Sequence, residues 1–408
     1  MDYADIVKPS TFANEGYLHA LTRHMRQHDP VPYIESGTYK PFWLVTKHAD
    51  ILEIERQHLR FPNTIKSALE LPDVEAQLDE SGPMLRTLIH MDEPDHKKYR
   101  DLTKDWFMPE NLKVIEPRVR QIAREAVDRM LECGSEIDFV RDVGVWYPLR
   151  VIMMILGVPP EDEALMLKLT QELLGNEDPD MQREEDADDG GQSDVIADYF
   201  AYFNRMTEEK RARPTDDVAS TIANARIDGR LLDPLEAVSY YVIIATAGHD
   251  TTSSALAGGL LALLEHPDQL QKVQAKDVDL HALVEEAIRW TSPVKHFMRY
   301  ATEDYELRGK QIKSGDALMM LYPSGNRDES VFDEPHRFIA ERKPNRHLAF
   351  GHGAHHCLGH LLAKMEMKYL YQEIFERVEG FELCGEPEIM ASNFVTGLKT
   401  LPMRITAS

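Results

Sequence analysis

Apolar residues recur at helical spacing through most of this chain. Such spacing is typical of amphipathic helices, whose apolar face packs against a core. It predicts four helices of moderate length: Pro94–Trp106, Pro117–Glu132, Val145–Leu156 and Leu358–Val378. The same spacing, in Glu161–Leu174 and Val195–Arg211, flanks an acidic and polar stretch from Glu177 to Asp194. We interpret that stretch as a loop between two helices, either a solvated surface loop or a mobile lid.

A longer helix is predicted around the apolar run Val238–Leu264. Asp233 suits its N-cap, Pro234 its first position, and Glu236 stands where a capping box places an acid. The helix should end near His266, because the proline that follows disfavours helical geometry in the residue before it. It would span about 50 Å and is apolar nearly all round, so it should run through the core.

Strand signals are few and short by comparison. They cover Phe42–Thr46, Tyr305–Leu307 with Gln311–Ile312, and Leu318–Leu321. No linker rich in proline, glycine or serine divides the chain. The expected fold class is therefore mainly α with small β-sheets, in one domain that covers residues 1–408.

Composition and charge narrow the classes of function. The 408 residues carry a net charge of −24, which argues against nucleic acid as the main partner because a phosphate backbone would be repelled. The three cysteines lie far apart, so they are no disulfide framework and suit a reducing cytoplasm. Residues 1–20 hold no apolar run, and the long apolar segment contains His249 and Asp250, which would be costly in lipid. We expect a soluble, cytoplasmic protein without a membrane anchor.

The middle of the long helix has an unusual composition for a buried segment. It reads Ala247-Gly248-His249-Asp250-Thr251-Thr252. Glycine weakens a helix, and threonines divert hydrogen bonds from its backbone. One interpretation is a harmless kink. The other is a groove that lets a ligand approach the backbone, with an acid and an alcohol at hand to pass on protons.

A cysteine-containing segment near the C-terminus reads Phe350-Gly351-His352-Gly353-Ala354-His355-His356-Cys357-Leu358-Gly359. Its glycines allow a tight, exposed backbone, and Cys357 would lie at the N-terminus of the helix that starts at Leu358. Free N–H groups and the helix dipole at that end favour a thiolate, which is a metal ligand. The competing interpretation is a zinc site formed by His352, His355, His356, Cys357 and His360.

Two further segments carry weaker signals of their own. Glu286 and Arg289 lie three residues apart on one helix face and can pair, as many surface residues do. His96 and Arg100 lie one helical turn apart. Together with Arg299 and other basic residues they could meet two carboxylates of a cofactor; the plainer interpretation is a solvated helix face.

Together, in this order and at these distances, the four segments resemble the cytochrome P450 superfamily of haem-thiolate monooxygenases over essentially the whole chain. The cysteine loop matches F-G-x-G-x-H-x-C-x-G, and the long helix matches A-G-x-D-T-T. Glu286 and Arg289 match E-x-x-R, and Phe338 with Arg342 matches F-x-x-x-R. Residues 244–254, 289–299 and 345–359 are most similar to the alpha-terpineol monooxygenase subfamily of soluble bacterial members.

The resemblance implies the fold of that family, with a haem b between the long helix and the helix after the cysteine loop. It implies that Cys357 is the axial iron ligand. Asp250 and Thr251 match the acid and alcohol that manage proton delivery, and Glu286, Arg289 and Arg342 match a structural ion network. The resemblance implies that the haem propionates are held by His96, Arg100, Arg299 and His355.

The resemblance also implies a substrate pocket and an electron donor. Ala247, which also lies against the cofactor, lines that pocket together with Gly248, Val294, Phe297, Phe394 and Val395. These residues are largely apolar, so we expect a small apolar substrate such as a monoterpenoid or alkylbenzene, hydroxylated with O2. An iron–sulfur ferredoxin with its reductase should supply electrons, on a basic patch of Lys97, Lys98, Lys104 and Lys343. A peroxide-using enzyme of the same fold is the alternative; a haem sensor or a zinc-binding structural protein fits the residues less well.

Overall fold

The long helix α11 (Pro234–Glu265) lies at the centre of the computed structural model, which describes residues 1–64, 66–174 and 191–407. The predicted capping box is present: Asp233 accepts the Glu236 backbone N–H at 2.8 Å, and the Glu236 carboxylate accepts the Asp233 N–H at 2.9 Å. The helix packs against α7 (Trp146–Leu156), α9 (Gly191–Ala212) and α13 (Leu280–Thr291), and most of its side chains are buried. The prediction of a core-crossing helix from residue 234 to residue 265 is confirmed.

The other helices surround α11. In chain order, the helices within the described residues are α1 (Pro9–Ala13), α2 (Glu15–His28), α3 (His48–Glu55), α4 (Pro72–Ser81), α5 (Asp95–Arg100), α6 (Pro109–Glu132), α7 (Trp146–Leu156), α8 (Glu163–Leu174), α9 (Gly191–Ala212), α10 (Val218–Asn224), α11, α12 (Pro267–Gln274), α13 (Leu280–Thr291), α14 (Tyr322–Gly325) and α15 (His360–Arg377).

Short strands form small sheets beside the helices. They are β1 (Tyr33–Ile34), β2 (Phe42–Val45), β3 (Glu136–Asp138), β4 (Arg226–Ile227), β5 (Arg230–Leu231), β6 (His296–Tyr300), β7 (Tyr305–Leu307), β8 (Lys310–Ile312), β9 (Ala317–Leu321), β10 (Val378–Leu383), β11 (Glu388–Ile389), β12 (Leu398–Thr400) and β13 (Pro402–Ala407). Among the described residues, four strands pair in the order β1-β2-β9-β6, and three in the order β10-β13-β3. The expected class, mainly α with small sheets, is confirmed.

The four-stranded sheet positions part of the site. β9 pairs parallel with β2 and antiparallel with β6, so that Phe297 is opposite Met320 and Arg299 is opposite Leu318. Because side chains alternate along a strand, Phe297 and Arg299 share one face of β6. Both line the same cavity, described below.

The core is one large cluster of buried apolar side chains with two smaller ones. The large cluster joins α6, α7, α11, α13 and α15, and the smaller ones lie at the four-stranded sheet. No helix of the described residues has the length and apolarity that a bilayer crossing requires.

The structure corrects two predicted helices in the N-terminal half. Pro94–Trp106 is not one helix, because α5 ends at Arg100 and a 3-10 turn, Lys104–Phe107, follows. The helix predicted to start at Pro117 begins instead at Pro109, and Pro117 lies inside it. Proline is favoured in a first helical turn, and both Pro109 and Pro117 are suited to that position.

Two further boundaries differ nearer the site. The helix after the cysteine loop begins at His360 with Gly359 as its N-cap, so the predicted start at Leu358 was wrong by two residues. α9 begins at Gly191, and the predicted loop Glu177–Asp194 is therefore wrong over its last four residues. The rest of that loop lies outside the described residues.

Candidate active site

A cavity of about 250 Å³ lies between α11 and α15. Its walls carry expected functional residues from four separate parts of the sequence. Most of the lining side chains are apolar, among them Leu88, Ile89, Ile243, Ile244, Val294 and Phe297. Cys357 and Leu358 of the cysteine loop and Leu362 of α15 also line it. The expected position of the cofactor, between these two helices, is thus an open space in the fold.

Cys357 lies on the cavity wall at the end of the cysteine loop. Its backbone N–H donates to the Phe350 carbonyl at 2.9 Å, which closes the loop. Burial raises the pKa of the Cys357 thiol, whereas hydrogen bonds from the backbone N–H groups of Gly359 and His360 and the charge of Arg100 lower it. The amides expected to stabilise a thiolate therefore do point at the sulfur, although α15 starts later than predicted.

Gly353 explains why the loop needs glycine. It adopts a φ of +72°, and a Cβ there would lie 2.3 Å from the Glu55 carbonyl oxygen. Gly351 also has a positive φ of +65°, but a Cβ there would meet no atom closer than 3.7 Å. The loop can approach the end of α3 only because residue 353 lacks a side chain.

Four basic residues meet at one edge of the cavity. His96 and Arg100 come from α5, Arg299 from β6, and His355 from the cysteine loop, and all four line the cavity. The rings of His96 and His355 are 4.1 Å apart, and Arg100 donates to the His356 carbonyl at 2.6 Å. Burial lowers the pKa of His96 to about 3 and also lowers that of His355. An anionic group between these side chains would act in the opposite direction.

The middle of α11 forms the wall facing Cys357. Ala247, Gly248 and Thr251 line the cavity, and the Thr251 hydroxyl donates to the Ala247 carbonyl at 3.2 Å. A Cβ at Gly248 would lie 2.5 Å from Ile152 Cγ1. This glycine therefore allows α7 to pack closely on α11, in addition to facing the cavity.

Asp250 is directed away from Thr251, its neighbour in sequence. Its carboxylate lies 3.0 Å from Nε2 of His249, which is fully buried, and it lines a second cavity of about 620 Å³. Although burial opposes it, the charge of Asp250 raises the pKa of His249. The structure thus places the acid and the alcohol on the walls of two different cavities.

Not all of the expected substrate-contacting residues line the first cavity. Val294 and Phe297 line the first cavity. Phe394 packs on Phe297 with ring centroids 5.6 Å apart, and Val395 forms a β-bridge with Val294. Val395 lines the second cavity, so this turn supports the wall from behind.

A buried ion network holds the segment that precedes the cysteine loop. Arg289 donates to both Glu286 oxygens, at 2.7 and 2.8 Å, and Arg342 donates to the same carboxylate at 3.0 Å. The side chains of Glu286 and Arg289 have no exposed surface. Arg289 also donates to the carbonyls of Asn326 and Pro335, so the network joins α13 to the chain between β9 and the loop.

The competing zinc site is not formed. Across residues 1–64, 66–174 and 191–407, no group of three or more His, Cys, Asp or Glu side chains is arranged to hold a metal ion. The histidines of the loop have other contacts: His355 packs on His96, and His356 packs on His360.

The expected basic patch is largely neutralised. Lys97 and Lys104 both pair with Asp101, Lys98 pairs with Asp228, and Lys343 lies 3.8 Å from Asp279. Each lysine therefore brings a nearby acid with it, which a count of sequence charges does not show.

The sequence analysis missed two buried acids of the cavity, Glu55 and Glu366. Neither carboxylate oxygen of Glu366 has a hydrogen-bond partner in the described part of the chain, and burial raises its pKa well above the ordinary value. Glu366 lies on α15 in an otherwise ordinary helical pattern. No local signal in the sequence marks either residue, since only the tertiary fold buries them.

Comparison with known proteins identifies relatives that match nearly the whole chain. The family model for cytochrome P450 matches residues 20–279 and 280–404. The chain is 41% identical to cytochrome P450-terp of a Pseudomonas species, over 98% of this chain and 96% of that protein. It is 29% identical to linalool 8-monooxygenase of Pseudomonas putida, over 98% of both proteins.

Solved structures of cytochromes P450 have the same fold as this chain. The crystal structure of CYP108D1 from Novosphingobium aromaticivorans, 41% identical, superposes with a TM-score of 0.90 over 100% of this chain and 98% of that one. These findings confirm the resemblance to the superfamily and to the alpha-terpineol monooxygenase subfamily. The chain therefore belongs to the cytochrome P450 family and is a haem-thiolate monooxygenase.

Proposed function

We propose that this enzyme hydroxylates a small apolar molecule of monoterpenoid or alkylbenzene type. The observation that supports this proposal most is the apolar lining of the cavity that contains Cys357. Apart from Thr251 and Thr252, the residues of α11 and of the segment after α13 that line the cavity have no polar side chain. A pocket with few polar anchors favours a hydrocarbon-like ligand.

The residues present fit a haem. Cys357 would hold the iron, and Arg100, Arg299, His96 and His355 would bind its two carboxylates with charge-assisted hydrogen bonds. When bound, this group supplies the activation of dioxygen and the oxidation of a C–H bond. The protein orients the substrate against Val294 and Phe297, and its apolar walls exclude bulk water.

Two residues of α11 would supply the protons. We assign the last step of proton delivery to Oγ1 of Thr251, which faces the cavity, and the intake of protons to the carboxylate of Asp250, which faces the second cavity. The adjacent positions of the two residues allow one helix to connect two cavities. The same pair disfavours the alternative of a peroxide-using enzyme, which has no need of proton delivery to dioxygen.

Thr251→Ala should separate haem binding from productive turnover. The variant keeps its cofactor, since no residue holding it changes, but product formed per electron consumed is expected to fall about tenfold or more, with peroxide formed instead. Thr251→Ser keeps the hydroxyl and should retain most of the coupling. Unchanged coupling in the alanine variant would contradict the assignment.

The substrate class is tested by a binding titration. Monoterpenoid alcohols and alkylbenzenes should displace water from the iron of the purified enzyme and shift its spin state, with affinities at least about tenfold above those of steroids and long-chain fatty acids. Curated relatives 32–34% identical to this chain include steroid C26-monooxygenases and methyl-branched lipid omega-hydroxylases. A spin-state shift with steroids or lipids alone would replace the proposed class with theirs.

We propose an iron–sulfur ferredoxin as the electron donor, in a reducing cytoplasm where the three free cysteines are stable. Because each lysine of the basic patch has an acidic neighbour, the contact should depend on shape as well as charge. First-electron transfer should therefore slow only a few-fold between low and physiological salt.

A further inference from the structure

Glu55 is a buried acid at the edge of the cavity where the basic residues meet. It is the last residue of α3 and only 2% exposed. Its Oε1 accepts hydrogen bonds from Arg299 Nη2 at 3.0 Å and from the Tyr322 hydroxyl at 2.7 Å. Its Oε2 is buried and has no hydrogen-bond partner among the described residues. A buried oxygen without a partner is costly, so it marks a place for a further group.

The surroundings of Glu55 favour its neutral form. Arg299 faces it from β6, Tyr322 from α14, and the His352 backbone N–H from the cysteine loop. Burial raises the pKa of Glu55 above its ordinary value, although Arg299 and these hydrogen bonds oppose the shift. Burial raises the pKa of Tyr322 well above its ordinary value, so its hydroxyl remains a donor to Glu55.

Counting charges at this edge gives the same answer. Arg299 already donates to Glu55, and it also lines the cavity that would hold the cofactor. A haem carboxylate bound to Arg299 would therefore share this one guanidinium group with Glu55. Two ionised carboxylates on one buried guanidinium group would leave one of them without a counter-ion, which is strongly destabilising, so one of the two carboxyl groups should keep a proton.

We propose that Glu55 is a further cofactor-binding residue, which stays protonated in the holoenzyme and donates a hydrogen bond from Oε2 to the haem carboxylate that Arg299 binds. This proposal rests on the haem site proposed above. It gives the unpartnered oxygen a function and makes Arg299 and Glu55 a joint clamp on one carboxylate. The end of α3, against which Gly353 packs, thereby becomes part of the cofactor site.

Two substitutions distinguish a neutral from an ionised Glu55. Glu55→Gln keeps an acceptor for Arg299 and Tyr322, and its NH2 group replaces the proposed O–H donor without adding charge. Glu55→Ala removes both. Glu53→Gln, an exposed acid on the same helix, is the control for removal of a surface charge. The measurements on the holoproteins are the rate of haem transfer to apomyoglobin, the midpoint potential, and the infrared band of a protonated carboxyl group.

The proposal predicts that Glu55→Gln and Glu53→Gln lose haem within about twofold of the wild-type rate, and that Glu55→Ala loses it about tenfold faster. A protonated-carboxyl band present in the wild type should disappear in Glu55→Gln. A midpoint potential that rises in Glu55→Gln but not in Glu53→Gln, with no such band lost, would show an ionised Glu55 and overturn the proposal. Equal haem loss from Glu55→Ala and wild type would do so too. A wild type that binds no haem would instead contradict the proposed function itself.

Discussion

Glu286→Ala is expected to lower the free energy of unfolding by about 3–5 kcal/mol and to yield protein that does not retain haem. Removal of one partner from a buried ion network leaves the others as unpaired buried charges. Here two guanidinium groups, from Arg289 and Arg342, would lose their shared carboxylate. Arg289 also binds the carbonyls that position the chain before the cysteine loop, so the loop should lose its geometry. Urea unfolding and haem content of the purified variant measure both effects.

Glu341→Ala is the matched control for this experiment. Glu341 immediately precedes Arg342 but forms an exposed pair with Lys272, with side chains 51% and 42% exposed. Such surface pairs contribute about 1 kcal/mol or less. If the two alanine variants unfolded at similar urea concentrations and bound haem equally, the network would have no special role in supporting the loop.

Gly353→Ala should be nearly as damaging, for a steric reason. The new methyl group would overlap the Glu55 carbonyl oxygen at 2.3 Å, and the residue would have to keep a φ of +72°. We expect a loss of about 2–4 kcal/mol in the free energy of unfolding together with weaker haem retention.

Gly351→Ala separates the two contributions. Residue 351 has a similar φ of +65°, but its Cβ would meet only ordinary contacts. This variant should lose about 1 kcal/mol, the conformational cost alone. Equal losses from the two substitutions would show that the contact between the loop and α3 is unimportant.

Local patterns in the sequence predicted the central helix well. The Asp233–Glu236 capping box and the proline after His266 are strong local signals, and α11 has the expected bounds. Predicted helix boundaries were wrong where two residues gave the same local signal, as the prolines at positions 109 and 117 do. The predicted start of α15 was wrong because Cys357 and Leu358 belong to the loop. In this arrangement the backbone N–H groups of Gly359 and His360 point at the sulfur.

Site residues that belong to a sequence motif could be predicted. Residues and orientations that depend only on the tertiary fold could not. His96, Arg100, Arg299 and His355 all line one cavity, and their binding of the haem propionates stays a prediction. The different orientations of Asp250 and Thr251 follow from the helical rotation of about 100° between neighbours and from the contact of Asp250 with His249, which spacing alone does not specify. Glu55 was missed because its burial depends on contacts with Arg299 and Tyr322, each more than 200 positions away in the sequence.

The electronic spectrum of the reduced protein with carbon monoxide tests the central assignment most directly, in the wild type and in Cys357→Ser. The wild type should show the long-wavelength Soret band of a thiolate-ligated haem, and Cys133→Ser and Cys384→Ser should show the same band because those free cysteines are exposed. Cys357→Ser should lack it. An unchanged thiolate spectrum in Cys357→Ser, or a colourless wild type from cells supplied with iron and porphyrin precursor, would contradict this account.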